Sequence, residues 1–239
     1  MLKFLLPLAM IPLSALPLSA QAGKQIEASL KVGAEDSIPY LQYLPKDFQA
    51  EGDKKYPLML FLHGRGESRG PLSIVKKWGP PKIADAKGLP YILISPQCPK
   101  ESWWHHDDQQ ELLIALLAHV KKQFPIDEKR IYLTGLSMGG FGSWELAARK
   151  PDEFAAVVPI CGGGNPKNAS KLVDLPIWNW HGDADKVVPL AKSTEMVEAV
   201  KKAGGTKIKS TVLKGVDHNS WSPAYNDTKL WEWLKEQKK

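Results

Sequence analysis

From residue 25 onward the apolar positions fall into short runs separated by longer stretches of helical period. Residues 25–32 (QIEASLKV) and 38–45 (IPYLQYLP) alternate apolar with polar, which predicts two strands with one solvated face, paired as an antiparallel hairpin. The runs at 56–64 (YPLMLFLHG), 90–97 (PYILISPQ), 130–135 (RIYLTG), 155–162 (AAVVPICG), 176–183 (PIWNWHGD) and 208–215 (IKSTVLKG) predict further strands. Their continuous apolar character is that of a sheet buried on both faces. Between them lie helical patterns. Leu112, Leu113, Leu116, Leu117 and Val120 form one stripe within 108–124, residues 189–205 end in a glycine stop, and residues 227–239 close the chain. Two antiparallel strands followed by strand–helix repeats predict a three-layer α/β domain: a mostly parallel eight-stranded sheet with helices on both faces. No internal repeat, low-complexity segment or linker marks a second domain, so residues 23–239 are expected to form one unit.

The first 22 residues follow another pattern. Lys3 precedes an apolar run from Phe4 to Leu18, and the small-x-small triplet Ala20-Gln21-Ala22 follows. This predicts a secretory signal peptide over residues 1–22, cleaved after Ala22. A membrane anchor fits less well, because a spanning helix needs about 20 apolar residues and Pro7, Pro12 and Pro17 interrupt this run. No later stretch could cross a bilayer. The mature chain is therefore expected in the periplasm or outside the cell, without stable membrane insertion.

Composition narrows the partners further. With 43% hydrophobic and 24% charged residues, the chain has the make-up of a globular domain, not of a disordered one. The formal net charge of +6 is mild, and lysines around 200–205 sit beside Glu195 and Glu198, which describes a solvated surface and no nucleic-acid groove.

Candidate chemistry begins at Gly135-Leu136-Ser137-Met138-Gly139. This is G-x-S-x-G at the end of an expected strand and the start of an expected helix, the setting of a nucleophile elbow. Glycines are needed there because the turn is tight and strained. The elbow lifts Ser137 clear of the sheet, and the amide of Met138 faces the carbonyl oxygen of a bound ester. A neutral serine needs a base, and in the elbow fold the order along the chain is Ser, then acid, then His. That order excludes His63, His105, His106 and His119. His181 has no acid before it at a strand terminus, which leaves His218 as the base. The loop after the expected strand 176–183 offers Asp183 and Asp185 as the acid; spacing alone does not choose between them.

Gly182-Asp183-Ala184-Asp185 with the following Val187-Val188-Pro189, the elbow, and Gly215-Val216-Asp217-His218 with Trp221 beyond it resemble the carboxylesterase and phospholipase-type α/β-hydrolases, including those labelled "predicted peptidase" and the dienelactone-hydrolase-like enzymes. The resemblance extends over nearly the whole mature chain, from YLPKDF through SPQCP and VPICGGG to WLKEQ. It implies an α/β-hydrolase fold without a large cap domain, and a serine carboxylic ester hydrolase acting on short-chain or carbohydrate-linked esters. It implies Asp185 as the acid, leaving Asp183 to brace the loop, and the amide of Arg65, after His63-Gly64, as the second oxyanion donor. His63 is then a brace for that loop. An arginine at position 65 departs from the small residue expected there.

Trp103, Trp104 and Trp221 are candidates for an aromatic wall against the substrate. The string WWHHDD has the residue types of a metal site, but adjacent histidines on a strand point to opposite sides and no third spaced ligand follows. No metal and no organic cofactor is expected. The fold's usual strand order, 1-2-4-3-5-6-7-8, places Cys98 and Cys161 at the ends of the fourth and sixth strands, three positions apart at about 4.8 Å each. That is too far for a disulfide, so two buried, unpaired thiols are expected. The main alternative function is a serine peptidase of the same fold acting on small peptides. A non-catalytic binding module is the other, since fold alone does not fix function.

Overall fold

The computed structural model describes residues 17–33 and 36–239; most of the apolar leader, up to residue 16, lies outside them. Leu18–Gln21 form a 3-10 turn. The hairpin strands β1 (Gln25–Val32) and β2 (Asp36–Tyr43) pair in register from Gln25 opposite Tyr43 to Val32 opposite Asp36. The chain then continues through β3 (Tyr56–Leu62), α1 (Gly79–Lys87), β4 (Ile92–Pro96), α2 (Asp107–Gln123), β5 (Ile126–Leu136) and α3 (Met138–Arg149). After these come β6 (Ala156–Ile160), β7 (Ile177–Gly182), α4 (Ala191–Lys202), β8 (Ile208–Leu213), α5 (Trp221–Asn226) and α6 (Thr228–Glu236). One eight-stranded sheet results, in the order β1-β2-β4-β3-β5-β6-β7-β8. Only the β1–β2 and β2–β4 pairs are antiparallel. This is the α/β-hydrolase sheet, in the order expected from the chain.

Alternation along β3 shows why its apolar run is continuous. Leu58, Leu60 and Leu62 join the core that contains Leu116 of α2, Trp144 of α3 and Met196 of α4. Met59 and Phe61 join the opposite core with Ala84 of α1, Tyr225 of α5 and Leu230 of α6. Each strand residue is therefore withdrawn from water on one face or the other, a gain of about 1.5–3 kcal/mol per large side chain. The sheet buries both faces because helices cover both.

Two elements differ from expectation. The segment GPPKIADAK, with Pro80 and Pro81, forms α1. Those prolines occupy the first turn, where a missing N–H costs nothing. A short helix not expected, α5, precedes the closing helix, which forms as α6, and Asp227 between them accepts the Lys229 amide as the N-cap of α6. Several expected strands also end a residue or two early. The residues they give up, among them His63, Gly64 and Asp183, belong to loops at the carboxyl edge of the sheet, where ligands bind in open α/β folds.

Candidate active site

Ser137 alone separates β5 from α3. Its backbone has φ 53° and ψ −116°, a region that costs a non-glycine residue about 1–3 kcal/mol. The flanking glycines make this turn possible. A Cβ on Gly135 would lie 2.3 Å from the carbonyl oxygen of Gly139, and a Cβ on Gly139 would lie 1.9 Å from that of Leu62. The elbow is tied to the neighbouring strand by the Ser137 amide, which donates to Ile160 O at 2.9 Å.

The structure brings Ser137, His218 and Asp185 together from three separate loops. Ser137 Oγ lies 2.9 Å from His218 Nε2, and His218 Nδ1 lies 2.7 Å from Asp185 Oδ2. The Asp185 side chain is fully buried, whereas that of His218 is 20% exposed at the surface of the cleft. Burial pushes the Asp185 pKa up, but hydrogen bonds from His218 and from the Val188 and Val187 amides outweigh it and hold the carboxyl below its usual range. Asp185 Oδ1 accepts both those amides at 2.9 Å. Asp183 is exposed and accepts the Gly215 amide at 2.6 Å, tying the loop after β7 to the one that carries His218. A second tie runs from the Gly182 amide to Ser220 Oγ at 2.8 Å.

The other side of the cleft is built on the loop after β3. His63 is buried, its Nδ1 2.7 Å from Gly64 O, while its Nε2 accepts the Cys98 amide at 3.0 Å. Burial lowers its pKa to about 4, against the pull of the Gly64 carbonyl, so it is neutral. Arg65 opens a 3-10 turn (Arg65–Ser68). Its guanidinium donates to the Ser102 and Lys100 carbonyls and lies 5.0 Å from the centre of the Trp103 ring. The side chain is thus anchored to the segment 100–103. The Met138 amide is the first of α3 and has no intrahelical acceptor.

The tryptophans separate. Trp103 is exposed, and Trp221 stands edge-on to His218 at 5.4 Å. Trp104 is fully buried, donates from its Nε1 to His63 O at 3.1 Å, and packs on Gly142. Its place in a substrate-facing wall is corrected: it is core. Trp78, 5.8 Å from Trp221, extends that flank instead. Its position follows from the undetected α1. Nor do His105 and His106 lie on a strand. They occupy a turn before α2 with ring centres 5.0 Å apart.

No motif marks Cys161 as a neighbour of this site. It is buried with φ 40°, and its Sγ groups with the Asp185 and His218 ligand atoms within 4.8 Å. These are the one His/Cys/Asp/Glu cluster of that size among the described residues. Burial pushes the thiol pKa strongly up, only partly offset by the Ser137 amide, so it is a poor metal ligand. Cys98 and Cys161 are both free thiols. Among the described residues no helix is long and apolar enough to cross a membrane.

Residues 93–230 match the phospholipase/carboxylesterase family model, and the chain belongs to that α/β-hydrolase family. A solved structure titled as a thermostable esterase superposes with a TM-score of 0.74 at 34% identity, over 90% of this chain and 63% of that one. The bifunctional acetylxylan esterase/xylanase XynS20E of Neocallimastix patriciarum is 29% identical over 144 residues, 55% of this chain and 20% of its own length. A "probable feruloyl esterase C" of Aspergillus terreus is 27% identical over 191 residues, 77% of this chain and 68% of the relative. The chain thus spans only a fifth of XynS20E and under two thirds of the thermostable esterase.

Proposed function

We propose that the protein is an exported serine carboxylesterase that hydrolyses short-chain or carbohydrate-linked carboxylic esters. The carrying observation is the line of hydrogen bonds from Ser137 Oγ through His218 to the buried Asp185. In the proposed reaction His218 Nε2 takes the Ser137 proton as Oγ attacks the ester carbonyl carbon. Asp185 holds the Nδ1–H tautomer and stabilises the imidazolium. The amides of Met138 and Arg65 donate to the developing oxyanion, each contributing roughly 3 kcal/mol. His218 then gives its proton to the departing alcohol, leaving the acyl group on Ser137. Water, deprotonated by the same imidazole, attacks the acyl-enzyme and releases the acid. Every proton is returned, and no step calls for a metal or organic cofactor.

Trp103 on one side, and Trp221 with Trp78 on the other, give the cleft two aromatic flanks suited to a sugar or an aromatic acyl group. The activities named for those relatives, acetylxylan esterase/xylanase for XynS20E and feruloyl esterase for the Aspergillus terreus protein, are consistent with those flanks. Export rests on the leader pattern of residues 1–22.

The test compares acetyl, feruloyl and acetylated-sugar esters with a chromogenic aminopeptide, for the wild type and Ser137→Ala. Ester turnover and organophosphorus labelling, both lost in the variant with the fold retained, are expected. Faster cleavage of the aminopeptide would instead favour a peptidase, and labelling that survives in Ser137→Ala would move the nucleophile elsewhere.

A further inference from the structure

His181 is fully buried at the end of β7, and the reaction just described gives it no step. Its two ring nitrogens meet different neighbours. Nε2 lies 3.1 Å from Asp185 Oδ2 and 2.9 Å from the carbonyl oxygen of Val188. Both are acceptors, so an unprotonated Nε2 would set lone pair against lone pair; Nε2 therefore carries the proton, and its one N–H is shared between the nearer Val188 carbonyl and Asp185 Oδ2. Nδ1 lies 2.8 Å from Ser193 Oγ, near the start of α4. That hydroxyl is farther, at 3.2 Å, from the Leu190 carbonyl, so it donates to Nδ1 and fixes the tautomer. The Asp185 carboxylate is then saturated. Oδ1 takes the Val187 and Val188 amides, and Oδ2 takes His218 and His181.

We infer that His181 is a positioning residue of the triad: its Nε2–H, oriented by Ser193, clamps Asp185 Oδ2 in line with His218 and moderates the basicity of that carboxylate. The inference rests on the serine-hydrolase reading. A carboxylate oxygen held by two donors cannot swing away from His218 without breaking a charge-assisted bond. Sharing its charge with His181 also keeps it from gripping the His218 proton too tightly. The remaining groups around the pair do not substitute for His181. Cys161, on the loop after β6, is a buried neutral thiol. Ser137 and Trp221 meet the His218 ring, not the carboxylate. Lys186 and Asp217, the chain neighbours of the pair, are exposed.

The sign of the pH effect follows. Without the His181 donor, Asp185 carries its charge unshared and stabilises the protonated form of the pair more. The acid limb of kcat/KM moves up.

The experiment uses the full chain with a 4-nitrophenyl ester and compares wild type, His181→Phe, His181→Gln and Ser193→Ala. His181→Phe, which keeps a ring but has no donor, should lower kcat about ten- to hundredfold with little change in KM, and should shift the acid limb upward. His181→Gln, whose amide N–H can reach the same oxygen, should recover part of both. Ser193→Ala should give a smaller shift of the same sign, and it carries the test alone if His181→Phe does not fold. A role confined to packing would reduce the amount of folded protein and leave the limb where it was. An unmoved limb in variants whose Ser137 still takes an organophosphorus label overturns this inference only. Failure of the wild type to show Ser137-dependent ester turnover overturns the esterase reading and this inference with it.

Discussion

At Ser137 and Cys161 the backbone adopts positive φ without glycine, at 53° and 40°, and both side chains reach the His218 ring, Ser137 by a hydrogen bond and Cys161 within 4.8 Å. Strain of this kind persists only where the surroundings over-determine it. Here the constraint comes from backbone: the carbonyls of Leu62, the last residue of β3, and of His63 after it fill the space where a Gly139 side chain would go, at 1.9 and 2.8 Å. Such atoms cannot give way as a flexible side-chain tip can. Gly139→Ala is therefore expected to cost about 3 kcal/mol or more in urea unfolding, at the severe end for one added methyl. Gly66 is the control. It lies one residue beyond Arg65 with nothing within 4 Å of an added Cβ, and Gly66→Ala should stay within about 0.5 kcal/mol of wild type. Equal losses at the two positions would show that the elbow is looser than its packing implies.

Elements carry the site by where they stop. Between β6 and β7, residues 161–176 hold only a 3-10 stretch, Pro166–Leu172, and no inserted helix to cover Ser137. An uncovered site should prefer short acyl chains, accept bulky alcohols and show no jump in rate on lipid dispersion. A series from acetyl to palmitoyl esters, with and without micelles, tests this; a maximum at ten carbons or more would reveal an acyl tunnel or a mobile cover. Much of this layout was legible in the chain. Periodicity alone placed β1 at 25–32 and the buried stripe of α2, because local pattern and tertiary burial agree there. Ser137 and His218 are legible because an elbow motif and chain order constrain them, whereas Asp185 is separated from Asp183 only by the family resemblance. What stayed hidden depends on contacts across the fold. The helix GPPKIADAK carries no expectation from the chain, because prolines break a helix except in its first turn, where these two lie. Trp104 falls among the candidates for a substrate wall because only the docking of Gly142, where a Cβ would come within 2.3 Å of the Trp104 Cβ, closes over it. His181 reads as a rejected base, since nothing in NWHGDAD reveals that its ring turns back onto the acid four residues later.

For the molecule as a whole, buried neutral groups set the pH range in which the fold holds. His63 is one of them. Its folded pKa is about 4, lowered first by burial, against 6.5 when unfolded. Between those values the unfolded chain binds a proton that the native protein refuses, so stability falls as pH drops from 6.5 towards 4 and levels below it. A difference of this size is worth about 3 kcal/mol. His105, also lowered by burial, acts in the same direction. Glu67 acts against them: its carboxyl is raised by burial, despite the opposing pull of Lys77, so the native state takes up its proton early as the solution is acidified. Asp185, held below 3.8, loses its contribution only at still lower pH. At the alkaline end, burial raises Cys98 and Tyr132 to about 12, and stability is lost as the unfolded thiol and phenol ionise from about pH 9 upward. Urea unfolding at pH 7.5, 5.5 and 4.5 should therefore show a decline of about 2–3 kcal/mol in the wild type. His63→Gln should start less stable, because the bridge from Gly64 to Cys98 is weakened, but should lose less over the same interval. Parallel declines in the two proteins would mean that other groups set the acid limit and that His63 titrates as an ordinary histidine.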